Sequence, residues 1–126
     1  MRKKEKSISK YDTPKMIESI KELDLHFSIQ EKIIIYYKNR EIDNNLETAI
    51  KACEEQIDFA PKAKKAFNTF YKNEPLPSHK GFEQLAIIKE KQGKFSEAIS
   101  LCKIALNEGW SGDWERRIGK LNKKIN

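Results

Sequence analysis

The sequence holds two cysteines, Cys53 and Cys102, and two histidines, His26 and His79, as its softest ligands and best nucleophile partners. A tetrahedral metal site draws its ligands in close pairs from a turn or hairpin. These four residues are widely spread along the chain and form no such pair. Ser78-His79 sits in the run Leu-Pro-Ser-His-Lys-Gly, where a serine beside a histidine suggests nucleophilic chemistry. Adjacent side chains leaving a helix cap point apart, however, and no third member or oxyanion-type glycine turn accompanies them. That run is expected to cap and open a helix, with Ser78 as the cap and His79 at the entrance. No glycine-rich phosphate loop occurs. The acidic residues lie mixed with lysines, as in Lys89-Glu90-Lys91, a pattern of solvated helix faces held by i,i+4 pairs. The expectation is a chain with no catalytic residue, no cofactor and no metal, and not an enzyme.

The elements that would position such residues are helical. Hydrophobic residues make up 38% of the 126 and charged residues 35%, and only 5 Gly and 4 Pro occur. That balance suits thin helix-on-helix packing and one modest core. The net charge of +6 is concentrated at the ends. Residues 1–15 carry six basic side chains against Glu5 and Asp12, and the last fourteen residues carry five against Asp113 and Glu115. Charge confined to the ends belongs to tails and one helix face. Met1-Arg2-Lys3-Lys4 begins as a signal peptide does, but no apolar run follows it. Ile33 to Tyr37 is far too short to span a bilayer. The expected setting is cytoplasmic, with reduced cysteines. Lysine outnumbers arginine 21 to 4, a usage that points to an AT-rich bacterial or phage source.

Residues 1–12 read as a disordered basic tail, and 13–126 as a single helical domain. Thr13-Pro14 has the form of a helix start, followed by an inward stripe of Met16, Ile17, Ile20 and Leu23. Ser28-x-x-Glu31 has capping-box spacing and predicts a second helix through Ile33, Ile34, Tyr36 and Tyr37. Asp43-Asn44-Asn45 is expected to cap a third helix, facing inward through Leu46, Ala49, Ile50, Cys53 and Ile57. Pro61 starts a fourth, with Ala63, Ala66, Phe67 and Phe70 inward. Residues 73–77 hold two prolines and cannot be helical. A fifth helix carries Phe82, Leu85 and Ala86. Gly93 turns the chain into a sixth, with Phe95, Ala98, Ile99, Cys102, Ala105 and Leu106 inward. Gly109 ends it, and a seventh runs over 112–125 with Trp114, Ile118, Leu121 and Ile125 on one side, a pattern that closes a stack.

Residues 78–110 resemble the tetratricopeptide repeat, a helix–turn–helix unit, through Phe82, Leu85, Ala86, Gly93, Phe95, Ala98, Ala105 and Leu106. Lys89, Cys102 and Trp110 depart from the family's usual residues. Leu46-Glu-Thr-Ala49-Ile50-x-x-Cys53 echoes Phe95-Ser-Glu-Ala98-Ile99-x-x-Cys102, which marks 29–61 as a degenerate repeat. The two cysteines fall at equivalent places, as small buried packing residues would. The resemblance implies an all-α fold of antiparallel helical hairpins, stacked as a short tetratricopeptide-like α-solenoid with a C-terminal capping helix.

It further implies a concave groove that binds a protein or peptide, as an adaptor does. The groove-facing residues would be Lys80, Glu83, Ile87, Glu90 and Lys91, extended by Tyr37 and Arg40. A subset of the family grips a C-terminal carboxylate with Lys, Asn and Arg. Only Lys80 matches that clamp, and Glu83 and Ile87 do not, so a mixed charged and apolar contact is expected. The alternative is a nucleic-acid-associated protein using its basic ends, which would bind phosphate with steep salt dependence. The aromatics fall on core stripes and offer no stacking platform.

Overall fold

A computed structural model of the chain describes residues 13–125, so the expected tail over 1–12 lies outside the described residues. The architecture is all-α, as the composition implies. Six helices are present among the described residues: α1 (Pro14–Lys38), α2 (Asn45–Asp58), α3 (Ala60–Phe70), α4 (Lys80–Lys91), α5 (Phe95–Glu108) and α6 (Trp114–Ile125). No helix of the described residues is long and apolar enough to cross a membrane.

Thr13 caps α1 as its sequence indicates, its Oγ1 accepting the Met16 N–H at 3.1 Å. The helix then runs unbroken past Ser28, where a second start was expected. Ser28 and Glu31 are exposed and make no capping box. An inward stripe of Ser19, His26, Ile29 and Ile33 spans the site of the supposed break and holds the two segments as one helix. The stripe is therefore rotated from the one expected: Ile17 and Ile20 are 44% and 38% exposed. The partner helix expected over 29–40 is the C-terminal half of α1 and the turn after it.

Helix α2 buries Ala49, Ala52, Cys53 and Gln56. Its N-terminal turn lacks a side-chain cap. Asn44 instead offers its carbonyl to Thr48, and Asn45 donates its side-chain N–H to the Asn39 carbonyl. Only Phe59 separates α2 from α3, where Pro61 sits in the first turn and its missing N–H costs nothing. Gly93 and Gly109 take φ of +77° and +93°, the left-handed conformation that ends α4 and α5. In α5, Ala98, Ile99, Cys102 and Ala105 face inward, but Leu106 is 42% exposed. In α6, Trp114 and Leu121 are buried, while Ile125 is half-exposed at the helix end.

Two short strands, unexpected from the composition, tie the loops together. β1 (Leu76–Ser78) pairs in parallel with β2 (Trp110–Ser111), and the Ser111 hydroxyl donates to the Leu76 carbonyl. The prolines that forbid a helix over 73–77 leave the chain extended and ready for this pairing. One core cluster spans α3 to α6 and includes Phe67, Phe82, Ala98, Cys102, Trp110 and Trp114. A smaller one joins Ile29 and Ile33 of α1 to Ala52 and Cys53 of α2 and Leu85 of α4.

Candidate functional site

The expected groove lies on α4, so its geometry depends on what fixes that helix. The N-cap is His79 rather than Ser78: its Nδ1 accepts the Phe82 N–H at 3.1 Å. Ser78 is exposed at the end of β1. A second first-turn donor, the Gly81 N–H, gives its hydrogen to Gln56 Oε1 at 2.7 Å, while Gln56 Nε2 donates to the His26 carbonyl at 3.1 Å. Gln56 is fully buried and bridges α1, α2 and α4 through one amide. The helices meet closely here, since a Cβ on Gly81 would stand 3.0 Å from the Cys53 carbonyl oxygen. Gln56→Leu leaves the buried Gly81 N–H without a partner. Its expected cost is about 2–3 kcal/mol of unfolding free energy in a urea titration, and a loss under about 0.5 kcal/mol would show that this bridge is dispensable.

His26 and His79, far apart in sequence, meet in the core with ring centroids 5.5 Å apart. Trp110 stacks on His26 at 6.1 Å and meets His79 at 4.8 Å. Both imidazoles are fully buried, and burial drives their pKa values down to about 4 and about 3. His79 is lowered further by the neighbouring His26. Both rings are neutral near pH 7. Since Nδ1 of His79 accepts a hydrogen bond, its proton resides on Nε2. Neither nitrogen of His26 nor Nε2 of His79 has a partner among the described residues. Sequence reasoning missed this pair because only the docking of α1 against the 78–82 segment brings it together.

Cys53 and Cys102 are free, buried and in separate core clusters. Burial pushes the Cys53 thiol up to about 12 and raises Cys102 as well, so neither is a ready nucleophile. Among the described residues no group of three His, Cys, Asp or Glu is placed to hold a metal ion.

The residues expected to face the groove are partly engaged by α6. Glu83 meets Arg117 at 3.2 Å and Glu90 meets Lys124 at 2.7 Å. Arg117 and Arg116 also pair with Asp113 at 2.7 and 3.0 Å, which holds that carboxyl below its ordinary range. A cleft of about 160 Å³ opens between α4 and α6. Its floor is Ala86, Cys102 and Leu121, and its rim is Glu90, Asp113, Arg116, Arg117 and Lys120. Lys80 and Ile87 are half-buried along α4, and Lys91 is exposed. Tyr37 and Arg40, at the end of α1 and in the turn after it, do not line this cleft. Arg40 stacks on the Tyr37 ring at 4.3 Å and donates to the Tyr37 carbonyl at 2.9 Å. No hydrogen bond or ion pair among the described residues links either to the α4 set. The α6 cations at the rim were legible in the sequence as a basic helix face, but their pairing with α4 was not.

Comparison with known protein families, curated proteins and solved structures found no match to this chain.

Proposed function

We propose that the chain is a non-enzymatic module that binds a protein or peptide partner, in tetratricopeptide-like fashion, in the groove between α4 and α6. The cleft between these helices carries the reading. A floor of small and apolar side chains lets a partner's backbone approach, and rim charges of both signs offer polar contacts along it. Arg117 and Lys124 tie α6 to α4 at two points, which holds the walls at a set distance before any partner arrives. Ile87 does not line the cleft; it sits one turn from Glu83 and Glu90 on α4, half-buried. The hairpin of α4 and α5, closed by α6, supports the family resemblance drawn from residues 78–110.

The nucleic-acid reading has less support. Arg116, Arg117 and Lys124 are already paired with carboxylates, leaving Lys120 and Lys123 as the unpaired cations of α6 among the described residues.

Peptides selected from a displayed library on the full chain test the proposal. Their affinity is expected to fall by about tenfold or more with Ile87→Asp or Lys120→Glu, while circular dichroism stays unchanged. Failure to select any peptide, with salt-steep binding of a single-stranded oligonucleotide instead, would favour the basic-ends reading.

A further inference from the structure

A second, largely apolar surface lies between α1 and the C-terminal end of α3. Helices α1 and α3 enclose a hollow of about 370 Å³ lined by Ile20, Leu23, Phe27 and Tyr71, with Phe70 in its wall. It adjoins another of about 250 Å³ over the proline loop, where Pro75, Leu76 and Pro77 face Phe67. Phe27 and Tyr71 line both hollows, so the two adjoin at these rings and together form a channel-like strip. These two aromatics are 46% and 49% exposed. Large aromatic side chains left half in water along a channel are the usual anchors of an interface.

The charge around the channel says what it fits. Its charged lining residues are Asp24 at one end and Glu74 at the other, and none is basic. This occurs on a chain with 25 lysines and arginines and a net charge of +6. The channel is thus an acidic-rimmed apolar strip on a basic protein. A second copy docking this face on itself would set Asp24 and Glu74 against the same residues of its mate, with like charges opposed. We propose that this channel receives an apolar segment of a partner protein that carries lysine or arginine beside its aromatic or aliphatic anchors. The segment's anchors lie between Phe27 and Tyr71, and its cations reach Asp24 and Glu74. This site is separate from the α4–α6 groove, and the two readings stand or fall independently.

Fluorescence anisotropy of the full chain with two short labelled peptides tests it. One alternates leucine and phenylalanine with lysine, and the other has glutamate in place of lysine. The lysine peptide is expected to bind about tenfold more tightly or better, and Asp24→Lys with Glu74→Lys is expected to invert that preference. Phe27→Gln is expected to weaken the lysine peptide by about tenfold, whereas Ile87→Asp leaves it unchanged. Equal binding of the two peptides, or indifference to both the charge reversal and Phe27→Gln, would overturn the proposal. Loss of binding with Ile87→Asp would move the peptide to the other groove and overturn it too. A dimer in sedimentation that Phe27→Gln dissociates would name a second copy as the occupant instead.

Discussion

Trp110→Ala is expected to lower the unfolding free energy by about 4 kcal/mol, the largest loss of any single truncation in this chain. Removing a buried tryptophan ordinarily costs about 3–5 kcal/mol through lost transfer energy and the cavity left behind. Trp110 is 2% exposed, and its ring and backbone together touch five separate parts of the fold. Its ring stacks on His26 of α1, meets His79 at the cap of α4 and packs edge-on against Phe67 of α3 at 6.0 Å. Its carbonyl accepts the indole N–H of Trp114 at 2.8 Å, which fixes the start of α6. Its backbone pairs with Leu76. The site cannot collapse without moving several helices, which places the cost high in the range. Denaturant titration of the variant measures it, and a loss under about 1.5 kcal/mol would show that α1, α3 and the α4 cap are not joined through this ring.

Acid is expected to destabilise the fold by about 4 kcal/mol between pH 6.5 and pH 4.5, through the two buried histidines. Their folded pKa values of about 4 and about 3 lie below the ordinary 6.5. The unfolded chain therefore binds more protons across this window, and stability is fully present above pH 6.5 and falls with pH. Each histidine contributes up to about 1.4 kcal/mol per pH unit until its folded pKa is reached. Protonation also turns Nδ1 of His79 from acceptor to donor, which breaks its bond to the Phe82 N–H and uncaps α4. The double variant His26→Phe with His79→Asn keeps an apolar ring in the core and a side-chain acceptor at the cap. Its stability should be nearly flat over the same window. An equally steep acid limb in that variant would assign the effect to other groups.

How much of this was legible in the sequence follows from how local each feature is. Thr13-Pro14, Gly93 and Gly109 act through their own turn, and all three mark helix ends as read. The stripe Ala98, Ile99, Cys102 and Ala105 falls on one face by helical period alone, and it is buried. Ser28-x-x-Glu31 carried the right residues for a cap but lost to a tertiary effect. The inward line from Ser19 through His26 to Ile33 is worth more than one capping box. The rotation of α1 that buries His26 also leaves Ile17 and Ile20 exposed. Contacts between distant segments were illegible for the same reason. The His26–His79 pair, the Gln56 bridge and the β1–β2 pairing each join residues far apart in the chain, and no short-range pattern encodes them.

The same logic separates the two candidate surfaces. The α4 face was readable as one helix face because a repeat-like spacing orders Lys80, Glu83, Ile87 and Glu90 along it, though of these only Glu90 lines the cleft. Its depth was not, because the cleft exists only once Arg117 and Lys124 draw α6 against Glu83 and Glu90. The aromatic channel had no sequence signature. Phe27, Phe67 and Tyr71 look like ordinary core residues until α1, α3 and the proline loop are assembled.

The claim that the α4–α6 groove binds a peptide is tested most directly by amide chemical-shift mapping of the full chain with a peptide selected on it. Binding there predicts shifts clustered on residues 80–91 and 113–121, with Ile87, Glu90 and Lys120 among the largest. Shifts absent from both segments, with the peptide still bound, would contradict it.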